Sequence, residues 1–284
     1  KNYIDKVNYR SSHSAVATRN GGISLFLSIF FISVYFYLTG YEIYDFSLLI
    51  PLSLLMLVGL YDDVNGFDFK LKFIFQIIAA KIIVDNGIVI DNLHGFGGIY
   101  ELSRITAQLF TIFIIVAIIN SINFIDGVDG LAISIVILFI CGFEFFSTKP
   151  SSYLNLSSLI IGSLAPLYYF NYRKKNKVFL GDSGSLFLGG VVSIFVIKIL
   201  SNNYTIQPEF DLHKLVFVIS ILLYPIIDII RIFFLRLFKG KSPFEADRNH
   251  LHHLILNKTN SHFLTTIIIL IVSIILNIII QLLF

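Results

Sequence analysis

Long continuous apolar runs, rather than an alternation of polar and apolar positions, dominate this chain. They cover residues 23–39, 45–60, 105–119, 130–147, 153–171, 183–200, 213–238 and 262–284, with a less apolar run at 70–84. Several fall short of the ~20 residues that a straight helical span needs, which leaves their boundaries loose by a few residues. Strands do not fit. The runs lack a period of two, and open sheet edges cannot sit in hydrocarbon. The pattern predicts an all-α, polytopic transmembrane helical bundle with about nine spans. Without an internal repeat or low-complexity stretch, residues 1–284 are expected to form a single integral membrane domain. The chain opens on Lys1 and not on Met, so an N-terminal piece, one further span, is expected to be missing.

Composition supports this reading. Residues are 56% hydrophobic and only 14% charged, with a mean hydropathy of +0.83, more apolar material than a water-soluble domain of this size uses. Nine spans divide the loops into two sets. The set 1–22, 61–72, 120–130, 172–182 and 236–261 holds fifteen of the 21 Lys and Arg residues, and the opposite set holds five. The positive-inside rule makes the richer set cytoplasmic. A net charge of +3 then reflects inner loops meeting anionic membrane lipids, and nothing calls for nucleic acid. The single Cys141 lies in an apolar run, which excludes an internal disulfide and reads as packing.

The acids are not scattered. Asp62 and Asp63 follow a span directly. Ordinary interfacial helix ends could account for them, yet paired acids at a helix C-terminus oppose the macrodipole, where Lys would stabilise. Asn123, Asp126 and Asp129 recur every third residue in Asn120-Ser-Ile-Asn-Phe-Ile-Asp-Gly-Val-Asp-Gly-Leu131. A surface turn explains an Asp-Gly step; three polar residues in register between apolar spans suggest a shared face. In Phe179-Leu-Gly-Asp-Ser-Gly-Ser185, Asp182 is a plausible helix N-cap. The same geometry would aim backbone N–H groups at a phosphate or metal–phosphate complex.

The loop 239–261 carries Ala246-Asp-Arg-Asn-His-Leu-His-His253. His250, His252 and His253 could ligate zinc, grip a diphosphate, or belong to a wet loop. Three histidines within four residues rarely converge on one ion, so phosphate contact is favoured. Asp228 and Arg231, at i and i+3 inside a span, are either functional or simply a mutual ion pair. His94, His213 and His262 look scattered. His13 alone joins an inner loop bearing other motif residues, with Arg19, Gly21 and Gly22. Every polar motif lies on the side assigned as cytoplasmic from Lys and Arg alone.

Taken in order, Asp62-Asp63, Asn123-Phe-Ile-Asp-Gly-Val-Asp-Gly-Leu131, Phe179-Leu-Gly-Asp-Ser-Gly-Ser185 and Asp247-Arg-Asn-His-Leu-His-His253 resemble the polyprenyl-phosphate N-acetylhexosamine-1-phosphate transferases. The likeness covers nearly the whole chain, and its His-Leu-His-His form is similar to the branch that initiates glycans. It departs at Ala15-Val-Ala-Thr-Arg-Asn20, where family members often carry prolines. The resemblance implies transfer of a sugar 1-phosphate from a UDP-N-acetylhexosamine to undecaprenyl phosphate, with release of UMP, in a bacterial cytoplasmic (inner) membrane. It also implies magnesium as cofactor, with manganese as a substitute.

By that resemblance Asp182 is the principal metal ligand and Asp126 joins the metal or diphosphate shell. Asp129 and Phe179 are similar to uracil contacts. Asn123 and Arg248 belong to the substrate-binding set with His13 and Arg19. Lys72 resembles a phosphate-binding lysine. Asp63, with Asp62, matches the pair that handles the lipid phosphate, and His250, His252 and His253 would hold the diphosphate or the sugar. A phosphate monoester has a second pKa of about 6, so a base is dispensable near neutral pH. Were Asp63 nevertheless the base, Asp63→Asn would lose most activity at low pH. Which N-acetylhexosamine is used stays open, as does a homodimer. A secondary transporter is the rival from another class. It would want acids near the midplane and repeated halves, and only Glu144, Asp228 and Arg231 lie well inside runs.

Overall fold

The computed structural model describes residues 4–5, 17–146, 153–200, 212–240 and 249–283. Within the described residues every predicted apolar run is helical over most of its length. In chain order the helices are α1 (Gly21–Leu38), α2 (Leu49–Asn65), α3 (Phe69–Asp85), α4 (Arg104–Ile125), α5 (Leu131–Phe146), α6 (Leu154–Asn171), α7 (Gly181–Leu200), α8 (Leu212–Ile221), α9 (Leu223–Phe238), α10 (Leu251–Thr259) and α11 (His262–Leu283). The protein is an all-α integral membrane protein. Among the described residues five helices are long and apolar enough to cross a bilayer, or six if α8 and α9 are one broken span.

The run 213–238 is not one continuous helix. Its two halves meet at 70° across residue 222. Pro225 supplies the reason: it has no N–H to donate to Ile221, and its ring collides with that carbonyl in a straight helix.

Helix α7 forms the centre, 94% buried over its apolar window, whereas α11 is only 22% buried and turns most of its surface outward. Helices α1, α2 and α4 pack against α7. Lipid tails are as apolar as leucine, so this packing rests on close backbone approach at small residues. A Cβ on Gly22 would lie 2.1 Å from the Gly184 nitrogen, and one on Gly189 would lie 2.7 Å from Ile119 Cα. At Gly59 it would lie 2.3 Å from the Asp182 carbonyl oxygen.

That crowding makes a prediction. Gly59→Ala should cost about 1–3 kcal/mol through overpacking, read as a lower thermal midpoint in detergent, and should reduce activity by displacing Asp182. Gly162→Ala, where nothing lies within 4 Å, should leave both unchanged.

Sequence patterning did not anticipate a small sheet formed by β1 (Ile4–Asp5), β2 (Ala17–Thr18) and β3 (Lys177–Val178), with β2 parallel to β3. The zipper continues past the strands. Phe179 N–H donates to Thr18 O (2.8 Å), Gly21 N–H to Phe179 O (3.0 Å) and Gly22 N–H to Leu180 O (2.9 Å). These bonds bring Arg19 and the start of α1 to the N-terminus of α7.

Candidate active site

Three helix ends meet where the acids collect: the C-termini of α2 and α4 and the N-terminus of α7. Lys72, from the first turn of α3, places Nζ 2.7 Å from Asp62 Oδ2 and 3.0 Å from Asp182 Oδ2. Asn123, in the last turn of α4, donates through Nδ2 to Asp182 Oδ1 (2.6 Å) and to Ser185 Oγ (2.8 Å). Asp182 thus has each carboxylate oxygen engaged by a different helix, so its orientation is fixed.

Asp63 does something the sequence did not reveal. Its Oδ1 accepts the Asp182 N–H and its Oδ2 the Ser183 N–H, each at 3.0 Å. Asp63 therefore caps α7 from another helix, satisfying donors that a helix N-terminus leaves unpaired. Two sequence expectations need correction. Asp182 is not the N-cap but lies inside the first turn. Nor are its N–H and that of Ser183 offered to a phosphate, because Asp63 already holds them. Gly181, at φ +72°, permits this approach, for a Cβ there would lie 2.7 Å from Asp63 Oδ2. Arg19 Nη1 stands 3.8 Å from Asp63 Oδ1 and offsets part of the local negative charge.

Asp126 follows the end of α4. Burial, and after it the carboxylates of Asp182, Asp63 and Asp129, push its carboxyl well above the ordinary range. The protein has gathered more negative charge than Lys72 and Arg19 offset.

Asp129 sits in a second cluster. Lys177 Nζ pairs with its Oδ2 at 2.5 Å, both side chains nearly buried, and the same ammonium lies 5.0 Å from the centre of the Phe179 ring. The Asp129 backbone is held as well: its N–H donates to His262 Nδ1 (3.1 Å), and its carbonyl accepts from Tyr172 (2.7 Å) and Thr266 (2.9 Å). Gly130 N–H donates to Asn171 Oδ1 at 2.6 Å. His262, which looked scattered, belongs here. Lys177 had been read only as part of a basic loop.

The histidines form the third cluster, at the start of α10. His250 Nδ1 lies 2.7 Å from Asp228 Oδ2, and the Leu251 N–H donates to Asp228 Oδ1 at 2.8 Å. Tyr224 and His252 Nδ1 are 3.2 Å apart. His252 is fully buried. Burial, with the neighbouring His253, pushes its imidazole down to about 3, so it is neutral across the physiological range. It therefore cannot grip a diphosphate as a cation. Instead its Nε2 would lie 3.0 Å from a Cβ on Gly127, with His253 Nε2 at 3.2 Å; the missing side chain lets the histidines pack on the turn after Asp126. Ligand atoms of Asp228, His250 and His252 fall within 4.8 Å of one another. Hydrogen bonds, with Arg231 on the same carboxylate at 3.3 Å, account for that spacing.

All three clusters touch the segment 123–130. It brings together Asp62, Asp63, Lys72, Asn123, Asp126 and Asp182 on one side, Asp129 and Phe179 on another, and the histidines on a third. His13 and Arg248 lie outside the described residues.

Glycosyl transferase family 4 matches residues 45–200. The chain is 33% identical over 266 residues to an undecaprenyl-phosphate alpha-N-acetylglucosaminyl 1-phosphate transferase of Haemophilus influenzae, covering 88% of this chain and 71% of that one. Its Pasteurella multocida counterpart is 32% identical over 268 residues, covering 89% and 71%. A decaprenyl-phosphate N-acetylglucosaminephosphotransferase of Mycobacterium tuberculosis is 29% identical over 280 residues, covering 89% and 69%.

Proposed function

The chain belongs to glycosyl transferase family 4, among the polyprenyl-phosphate N-acetylhexosamine-1-phosphate transferases, and on that premise we propose that it transfers N-acetylglucosamine 1-phosphate from a UDP-sugar to undecaprenyl phosphate. A lipid phosphate oxygen forms a bond to the β-phosphorus of the donor, and the bond from that phosphorus to the bridging oxygen breaks, releasing UMP. The reaction would start a lipid-linked glycan at the cytoplasmic face of a bacterial inner membrane. The observation that carries this reading is the meeting of Asp62, Asp63, Lys72, Asn123, Asp126 and Asp182 at one end of the bundle.

Phosphoryl transfer asks mainly for positioning and charge neutralisation, and these residues supply both. Lys72 offers an ammonium next to Asp182, where two substrate anions must come close. Asn123 and Asp63 hold Asp182 from its side chain and its backbone. Asp129, Lys177 and Phe179 combine hydrogen-bonding groups with an aromatic face, which suits a nucleobase. His253, the more exposed of the histidines beside Gly127, would contact the diphosphate.

The crowding that raises Asp126 fits a divalent cation, and carboxylate oxygens are the donors magnesium prefers. Magnesium held by Asp182 and Asp126 would supply Lewis-acid charge to the diphosphate.

The test is UMP release by purified protein given undecaprenyl phosphate, magnesium and a panel of UDP-N-acetylhexosamines. Turnover is expected with UDP-N-acetylglucosamine, lost on chelation and restored by magnesium. If no UDP-sugar in the panel releases UMP, the reading is wrong.

A further inference from the structure

Asp228 is the acid that the sequence left undecided between function and a plain ion pair. It is 1% exposed, and its carboxylate reaches well beyond Arg231. One oxygen accepts from Leu251 N–H and from Arg231; the other faces His250 Nδ1. Arg231 in turn donates to the Asn249 carbonyl. The two residues thus hold three consecutive residues of the histidine segment onto α9, Asn249 and Leu251 through their backbone and His250 through its ring.

The chemistry of the contact fixes a proton. An ionised carboxylate can only accept, so a 2.7 Å contact to Nδ1 requires the His250 proton on that nitrogen. Nε2 is then the ring nitrogen left for a substrate. On its other side the imidazole packs 5.6 Å from the Phe124 ring, within the same segment as Asn123 and Asp126. Asp228 thus holds one side of the His250 ring, and Phe124 of the 123–130 segment packs against it.

We propose that Asp228 is a positioning residue for the transfer reaction: it sets the tautomer of His250. This rests on the transferase reading above. Asp228→Asn keeps the shape and one acceptor. Its amide can instead donate to Nδ1, which moves the His250 proton to Nε2. A wrong tautomer in an otherwise intact site costs activity without unfolding the protein.

The experiment is a double-mutant cycle on full-length protein in detergent, following UMP release from UDP-N-acetylglucosamine with undecaprenyl phosphate and magnesium. Asp228→Asn is expected to lower kcat/KM for the UDP-sugar ~10–100-fold, the range seen when groups that orient site histidines are lost. KM for undecaprenyl phosphate should stay within about twofold of wild type if coupling runs only through His250. In a His250→Ala background the same substitution should cost less than about twofold, because its effect is already spent. Losses that multiply would overturn the proposal, as Asp228 would then act independently of His250.

His250→Asn decides the matter if Asp228→Asn does not fold. Its amide can still donate to Asp228 but has no counterpart of Nε2. It should fold and lose at least about tenfold in kcat/KM for the UDP-sugar; full activity would overturn the proposal. Absence of UMP release by the wild-type protein would overturn the transferase reading and this inference with it, whereas an active wild type with a multiplicative cycle would overturn the inference alone.

Discussion

Replacing Asp182 by asparagine is expected to abolish UMP release, by ~10³-fold or more in kcat, which corresponds to about 4 kcal/mol of lost barrier reduction. The substitution keeps the size of the side chain and its place in α7. It removes the charge that Lys72 and Asn123 orient from two directions. Lys72 would remain paired with Asp62 alone, and the acid proposed as principal metal ligand would be a neutral amide. The measurement is UMP release from UDP-N-acetylglucosamine in magnesium-supplemented membranes, with the thermal midpoint as the check on folding. Wild-type turnover by a folded Asp182→Asn protein would remove the metal-site assignment.

Asp63→Asn is the second large effect, and here the geometry changes the expected form of the result. Each carboxylate oxygen of Asp63 accepts one backbone N–H from the first turn of α7. Asparagine has one acceptor, and its NH₂ would face a backbone donor. A buried donor left without a partner costs about 1–3 kcal/mol, and the strained turn is the one that carries Asp182. Displacing a catalytic group by about 1 Å can cost ~10²-fold, so a loss of that order in kcat is expected. The loss should be the same from pH 7.5 to pH 9, because the role is positional. A deficit that deepens as pH falls would instead restore Asp63 as the acceptor of a lipid phosphate proton.

Much of this site was legible because its chemistry is written in local motifs. Spans read from continuous apolar runs and a side assigned from Lys and Arg placed Asp62, Asp126, Asp182 and His250 at one end of the bundle. The contacts of α2 and α4 with α7 bring Asp62, Asp126 and Asp182 together in that way. What stayed hidden is long range. The donors that Asp63 satisfies lie 119 and 120 residues away, and backbone N–H groups carry no residue-type signal. Lys177 was masked by neighbouring basic residues that a membrane surface explains equally well. His262 opens an apolar helix far from the other motifs and so looked scattered. Asp228 could be paired within its own helix to Arg231, and that local partner concealed the remote one. The break between α8 and α9 had a readable cause in Pro225, but apolar residues on both sides made the run look continuous.

The tie from Asp63 to α7 also bears on the order in which the protein matures. During synthesis the double-aspartate motif emerges more than a hundred residues before the backbone it must hold. Until α7 is inserted and packed, Asp63 lacks the backbone donors that fix its geometry. Competence for chemistry thus cannot precede the central helix, and a truncated or stalled polypeptide ending before residue 181 lacks the backbone that orders Asp63.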